Sequence, residues 1–147
     1  MNKLFIAFST SGNSGTLGYR IPGIWTHASD GDSNSRAVYI CSGINNIDVG
    51  HTSKRVVRDQ WHSVTVEQKH VNSKYIYSAH VNGELLHTEE NRSPRTYQNV
   101  NLYISDPWYP SIDGQIKDLK VESSKGKSNL YVFVAIVGGN VLEKIPY

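Results

Sequence analysis

Polar and apolar residues alternate along much of the chain, with a period of two rather than a helical period. No window of eleven or more residues keeps a period of 3.6, whereas side chains of a half-buried strand point alternately to two faces. Nine tyrosines, three tryptophans and many valines and isoleucines also suit a pleated sheet. The pattern predicts strands at Lys3–Phe8, Gly18–His27, Arg36–Ser42, Trp61–Gln68, Tyr75–Val81, Glu84–Glu90, Asn99–Ser105, Gly114–Glu122 and Leu130–Val137.

Turn-forming stretches separate these strands, for example residues 9–15 and 29–35, which are rich in Ser, Gly, Asn and Asp. Short strands at this spacing predict an all-β fold, a two-sheet antiparallel β-sandwich or jelly roll. A chain of 147 residues has the length of one domain and can bury about 70% of the surface that its unfolded form exposes. We therefore expect residues 1–147 to form a single domain.

One hairpin can be drawn from the sequence alone. Asn82-Gly83 supplies two residues that tolerate the positive φ of a type I′ turn, so Val81 is expected opposite Glu84. Simple alternation then places Tyr77, Ala79, Val81 and Leu86 on the core face. It makes His80 and His87 diagonal neighbours on the other face, where solvated histidines are a better interpretation than a two-ligand metal site.

Two later strands indicate what is buried around them. Val100, Leu102 and Ile104 point to one side, with polar residues on the other. The strand at residues 130–137 is apolar on both faces, so it is either a central strand covered on both sides or part of an interface.

Charge and composition narrow the classes of function. The formal net charge is +2, from 15 Lys and Arg against 13 Asp and Glu, which is too balanced to indicate nucleic-acid binding. The longest apolar run, residues 132–137, is far shorter than the ~20 residues of a membrane span, and the N-terminal residues do not resemble a signal peptide. Cys41 lies within a strand pattern and reads as a small buried hydrophobe, with a reactive thiol as the alternative.

Three segments carry a family resemblance. Asp59-Gln60-Trp61-His62-Ser63-Val64-Thr65-Val66 contains a Trp-His-x-Val-x-Val strand, and residues 77–84 contain a strand that ends in Val-Asn-Gly. The third segment combines Leu102-Tyr103-Ile104 with Ile112-Asp113-Gly114-Gln115-Ile116-Lys117-Asp118-Leu119-Lys120-Val121. In this order, over residues 59–122, the segments resemble the laminin-G-like members of the concanavalin-like lectin and glucanase superfamily, although the disulfide common near the end of laminin-G domains is absent.

The resemblance implies a laminin-G-like jelly roll, a secreted or extracellular location, and a glycan or an extracellular protein as the partner. The third segment also sets a geometric condition. Ile116 and Leu119 are three residues apart, so strict alternation would put them on opposite faces, and a bulge near Lys117 and Asp118 would return both to the core.

The residues needed for catalysis are hard to find in this sequence. Glycosidases of the superfamily carry a Glu-x-Asp-x-x-Glu strand with two carboxylates beside the scissile bond, and nothing here matches it. There is no Gly-x-Ser-x-Gly elbow, no His-Glu-x-x-His and no phosphate-binding glycine loop. We therefore expect a binding domain rather than an enzyme.

Carbohydrate is the expected ligand class, and one loop offers a site for it. The loop of residues 106–113 places Trp108 and Tyr109 between two prolines, with Asp106 and Asp113 on either side. A flat aromatic ring suits the apolar face of a sugar, rigid polar groups suit its hydroxyls, and proline reduces the entropy lost on ordering. The alternative is that Trp108 caps the sandwich while Asp106 accepts hydrogen bonds within a turn.

Two further interpretations stay open. Asp30, Asp32 and Asn34 alternate in an oxygen-rich loop that could hold Ca²⁺, and the resemblance to calcium-binding laminin-G domains supports this, but a solvated turn is favoured and no cofactor is required. The chain could instead be an adhesion or self-assembly module, a homo-oligomer that uses the apolar strand 130–137. Neither interpretation includes nucleic-acid binding or membrane insertion.

Overall fold

Ten strands make up the regular structure of the computed structural model, which describes residues 3–10, 18–28, 35–104, 114–123 and 130–138. No helix is present among these residues. The strands are β1 (Lys3–Ser9), β2 (Gly23–Ala28), β3 (Ser35–Ile44), β4 (Ile47–Val57), β5 (Trp61–Val71), β6 (Lys74–Val81), β7 (Glu84–Glu90), β8 (Asn101–Ile104), β9 (Gly114–Ser123) and β10 (Leu130–Gly138). The prediction of an all-β fold is confirmed for this part of the chain.

The strands form two antiparallel sheets of five. Sheet A has the order β4-β3-β2-β1-β8, and sheet B has the order β7-β6-β5-β10-β9. Inward-facing side chains of both sheets share one core, which includes Ile6, Ile24, Val38 and Ile40 from sheet A and Val64, Val66 and Ala79 from sheet B. Each fully buried Val or Ile stabilises the fold by about 1.5–3 kcal/mol relative to an exposed position, so this layer holds the sheets together.

Three hairpins use two-residue turns in which both residues have positive φ, as a type I′ turn requires. The predicted hairpin between β6 and β7 is confirmed, with Val81 paired to Glu84. The φ angles are 53° and 66° at Asn45-Asn46, 49° and 61° at Asn72-Ser73, and 53° and 76° at Asn82-Gly83. Asparagine opens each turn because its side chain tolerates the left-handed region better than most residues.

Strand β4 is the element that alternation did not predict. It contains Gly50 and the polar run from His51 to Arg55, a composition that lacks a clear apolar face. The strand forms because the Asn45-Asn46 turn returns the chain along β3, with Ile44 paired to Ile47 and Ile40 to His51. It lies at the edge of sheet A, where a polar strand is tolerated.

The bulge predicted in β9 is confirmed. Phe133 pairs with Lys120 and Ala135 pairs with Lys117, so β9 has one more residue than β10 between these two pairs. Asp118 takes up the difference with a φ of 52°. As a result Ile116 and Leu119 both pack against the core, although they are three residues apart.

The apolar strand β10 lies inside sheet B, between β5 and β9. Its backbone pairs with both neighbours along most of its length. The sequence allowed either a central strand or a strand at an interface, and the structure shows β10 as a central strand of sheet B. Both edges of β10 are therefore occupied by hydrogen bonds within the sheet.

Candidate functional site

A cleft of about 390 Å³ lies between the two sheets. Strands of both sheets line it, together with the connection from β7 to β8, so the site combines residues that are distant in sequence. The lining residues are Phe8, Ile21, Pro22, Ser42, Gly43, Ile44, Val66, Glu67, Gln68, Tyr77, Asn91, Arg95, Thr96, Tyr97, Val100, Leu102 and Val121.

The cleft is open on the side where β8 and β9 form the sheet edges. Leu102 pairs with Phe8, so it points to the inner face of sheet A, as the alternation predicted. It is nevertheless 40% exposed, and Val100 and Val121 are 38% and 44% exposed. Large apolar side chains that face inward yet remain this exposed mark an incompletely filled space between the sheets.

Two hydroxyl groups lie in the wall of the cleft. Ser42 on β3 and Tyr77 on β6 belong to different sheets, and their hydroxyl oxygens are 2.9 Å apart, with either one able to donate. Both residues are buried. Burial raises the pKa of the Tyr77 phenol to about 12, against the smaller opposing effect of the Ser42 hydrogen bond, so the phenol stays protonated at neutral pH.

Amide and guanidinium groups line the part of the cleft next to the Asn45-Asn46 turn. Asn91 donates from Nδ2 to Gln68 Oε1 at 2.7 Å, and the Oδ1 atom of Asn91 accepts from the backbone of Ser93 at 3.1 Å. Arg95 donates from Nη2 and Nε to Asn46 Oδ1 at 2.5 and 3.1 Å. These contacts fix the connection that follows β7, so its polar groups are positioned before any ligand arrives.

The edge of the sandwich where β4 faces β7, opposite the edge formed by β8 and β9, is closed by polar contacts. The Asn45 amide donates to Glu89 Oε1 at 2.7 Å and to the Glu90 carbonyl at 3.0 Å, and its oxygen accepts from the Arg92 backbone at 2.6 Å. Next to them the imidazole rings of His51 and His87 stack with centroids 3.6 Å apart and planes 15° apart. This set of contacts joins sheet A to sheet B.

The His51 ring is the less satisfied partner of the stack. Its Nε2 atom is buried without a hydrogen-bond partner among the described residues, whereas His87 Nε2 lies 3.3 Å from Glu89 Oε2. Desolvation lowers the pKa of His51, the nearby His87 lowers it further, and Glu89 opposes both effects. The charged form of His51 is therefore disfavoured in the folded protein.

The prediction that His80 and His87 are diagonal neighbours on the face opposite the core is wrong. The register of the β6–β7 hairpin shifts between Ala79 and His80, so His87 pairs with the fully buried Ala79 and His80 pairs with Leu85. The bulge turns His87 toward the inner face, where it meets His51 instead. Strict alternation failed because it had no signal for the extra residue in β7.

Cys41 is buried, as predicted, on the side of sheet A that faces away from the main core, beside Ala7 and Trp25. Its thiol donates to Asp48 Oδ1 at 2.6 Å, and Arg20 binds the other oxygen of that carboxylate at 2.8 Å. Burial and the Asp48 contact raise the pKa of the Cys41 thiol to about 12. The thiol is held protonated, which disfavours the reactive alternative.

The residues predicted to form binding sites lie outside the described residues. This applies to the glycan loop with Asp106, Trp108, Tyr109 and Asp113. It applies equally to the calcium loop with Asp30, Asp32 and Asn34. The glycan site and the calcium site therefore remain predictions from the sequence.

None of the residues that line the cleft was predicted as a site residue. A signal was present in β3, where the inward-facing row runs Val38, Ile40, Ser42 and Ile44. A hydroxyl in an otherwise aliphatic row needs a buried partner, because an unpaired polar group in the core costs about 1–3 kcal/mol. That requirement indicates a polar contact across the sandwich, although the sequence does not identify Tyr77 as the partner.

In the part of the chain that the structure describes, no three His, Cys, Asp or Glu side chains are arranged to hold a metal ion. No helix there could span a membrane. Comparison of the chain with known protein families, with curated proteins and with solved structures found no match.

Proposed function

We propose that this chain is a non-catalytic binding module that holds a carbohydrate in the cleft between its two sheets. The observation that carries the proposal is the cleft itself, with a volume of about 390 Å³, largely apolar walls and a few fixed polar groups. Sites for small ligands are concave and mostly apolar, have volumes of ~300–1,000 Å³, and use a few convergent polar groups to orient the ligand. The cleft meets each of these conditions.

The polar groups of the cleft favour a sugar over a purely apolar ligand. Tyr97 lines the cleft and supplies an aromatic ring, the kind of surface that suits the apolar face of a pyranose. Gln68, Asn91 and Arg95 line the same cleft and offer amide and guanidinium groups to hydroxyls. A ligand that alternates apolar C–H surface with hydroxyl groups matches this arrangement better than a hydrocarbon chain does.

The finer description of the fold, a jelly roll of the laminin-G type, is part of the same proposal. Its support is that the Trp-His segment forms β5, the Val-Asn-Gly step forms the β6–β7 turn, and the third segment passes from sheet A as β8 to sheet B as β9. The extracellular location and the optional calcium ion at Asp30, Asp32 and Asn34 rest on the family resemblance alone.

The test uses two substitutions in the same short strand. Leu102 and Ile104 are two residues apart in β8 and point to the same side, but only Leu102 lines the cleft. The purified chain and the variants Leu102→Arg and Ile104→Arg would be applied to a glycan array, and the dissociation constant of the best glycan would be measured by calorimetry. We expect Leu102→Arg to weaken binding at least tenfold and Ile104→Arg to leave it within about twofold.

Each outcome of this experiment decides a specific point. Equal binding by Leu102→Arg and the parent chain would place the glycan elsewhere, and loss of binding in Trp108→Ala would then locate it in the 106–113 loop. The absence of any glycan signal from the parent chain, with and without calcium, would overturn the proposal.

The alternative function, adhesion or self-assembly through the apolar strand, is restricted by the position of β10. Because β5 and β9 occupy both of its edges, a partner could not add a strand to β10 and would have to use one of its faces. Light scattering at micromolar concentration tests this alternative directly.

A further inference from the structure

The Ser42–Tyr77 pair has one more hydrogen than the protein uses. Each hydroxyl carries one O–H donor, and the 2.9 Å bond between them consumes only one of the two. The described residues give neither hydroxyl oxygen any other hydrogen bond. Whichever residue donates within the pair, the other has a hydrogen left to donate.

That remaining donor has to be satisfied from inside the cleft, by water or by a ligand, rather than from the outer surface. Ser42 and Tyr77 are each 5% exposed, and both line the cleft. A ligand that displaces water here must supply an acceptor of its own, because a buried donor left without one is costly, so the pair favours a cleft occupant that brings an acceptor oxygen. The Tyr77 phenol keeps its proton at every physiological pH, because burial raises its pKa to about 12, so the pair always has this hydrogen to donate.

The surroundings of the pair restrict what can carry the acceptor. Phe8, Ile44 and Val66 line the same cleft, so the group should be small, with an apolar part of its own. A carboxylate would bury a charge. Arg95, the cation among the lining residues, is exposed and already binds Asn46, so it does not neutralise a charge buried beside the pair. A sugar hydroxyl can accept the bond too, but it brings a hydrogen that needs a further acceptor among these apolar side chains, whereas a neutral carbonyl with a methyl group does not.

We infer that the cleft selects sugars that carry an acetamido group. The carbonyl oxygen of that group accepts the hydrogen bond that the Ser42–Tyr77 pair can donate, and its methyl group lies against the apolar walls. The hydroxyls and the ring of the sugar are left for the other polar groups that line the cleft, those of Gln68 and Asn91. This inference rests on the proposed function, because it specifies which carbohydrates enter the same site.

The experiment compares matched sugars that differ only at one substituent. Methyl glycosides of N-acetylglucosamine and N-acetylgalactosamine would be measured against those of glucose and galactose, by calorimetry or by ligand-observed NMR. We expect at least one acetamido sugar to bind roughly tenfold more tightly than its hydroxyl counterpart, the range of a buried hydrogen bond plus a methyl group.

Variants of the pair then assign the preference to its cause. Ser42→Ala and Tyr77→Phe each leave one hydroxyl with its hydrogen, so each should keep part of the preference. The double variant Ser42→Ala/Tyr77→Phe has no donor there, so the preference should fall to about fourfold or less, the part that burial of the methyl group alone contributes. Removing both partners together leaves no unpaired hydroxyl, so the double variant should fold, which its melting temperature verifies.

The possible failures are distinguishable. If sugars bind in a manner that Leu102→Arg abolishes but without preference for the acetamido group, the proposed function stands and the inference is overturned. A preference that persists unchanged in the double variant also overturns it. If no sugar binds the parent chain, both proposals fail together.

Discussion

The two edges of the sandwich join the sheets in opposite ways. Where β4 meets β7, the stacked rings of His51 and His87 and the hydrogen bonds of Asn45 connect sheet A to sheet B. Where β8 and β9 form the other edge, Leu102 and Val121 face a cleft and remain about two-fifths exposed. One edge is polar and closed, and the other is apolar and open.

This difference separates two tasks within one fold. Hydrogen bonds and ring stacking are directional, so they fix the distance between the sheets on the β4–β7 side. Apolar contact is non-directional, so the β8–β9 side can accept an additional molecule in place of a protein side chain. Under the proposed function, the closed edge provides the rigid frame that a preformed binding cleft needs.

The largest effect is expected from breaking the closed edge at Asn45. Replacing Asn45 by alanine removes the three hydrogen bonds of its side chain. It also places alanine, which adopts the left-handed region less readily than asparagine, at a φ of 53°. We expect the free energy of unfolding to fall by about 3 kcal/mol, from the lost bonds and the backbone strain together. Urea denaturation measures this value, and a loss below about 1 kcal/mol would show that the edge does not depend on Asn45.

The next effect is a pH dependence at the same edge. Because the folded pKa of His51 is lower than its unfolded value of about 6.5, the unfolded state takes up the proton more readily. Neutral His51 therefore makes its full contribution to the free energy of unfolding above about pH 6.5, and this contribution is lost as the pH falls through the lowered pKa of the folded state. On the facing strands the groups near this ring are His87 and Glu89, with Tyr77 behind them.

His51→Phe isolates this contribution because it keeps an aromatic ring in the stack and removes the titrating nitrogen. We expect the variant to unfold at the same temperature as the parent chain or higher at pH 7.5, and to lose less stability between pH 7.5 and 5.5. Thermal unfolding across this range provides the measurement. Parallel curves for the two proteins would show that His51 does not contribute to the pH dependence.

The smallest effect is expected at the open edge. Leu102→Ser should reduce the free energy of unfolding by about 1–2 kcal/mol, because a side chain that is 40% exposed gains only part of the stabilisation of a fully buried leucine. The same urea experiment as for Asn45→Ala applies. A loss as large as that of Asn45→Ala would mean that both edges support the fold equally, and the comparison would no longer hold.

Features that depend on local chemistry could be predicted from the sequence. The turn at Asn82-Gly83 follows from the demand for positive φ, and the β9 bulge follows from the spacing of Ile116 and Leu119. The register of β8 against β1 places Leu102 inward, as the alternation indicated. Each of these features is determined by a few neighbouring residues.

Features that depend on distant contacts could not be predicted. The polar sequence of β4 has no alternation of its own, and pairing with β3 makes it a strand. β2 begins at Gly23 rather than Gly18, and the residues just before it bond to Phe8 outside the regular ladder, where the Phe8 N–H donates to the Pro22 carbonyl and the Ile21 N–H donates to the Phe8 carbonyl. The cleft was missed for the same reason, because Ser42 and Tyr77 meet only when the two sheets pack.

The central place of β10 affects how the protein is made. A ribosome produces β5, β6 and β7 well before β10, so the hairpin arrangement of these strands exists for a time with the edge of β5 unpaired. Val64 and Val66 lie on this strand, and an unpaired apolar edge can capture a strand of another nascent chain. Synthesis rate and chaperone supply should therefore influence the soluble yield of this protein.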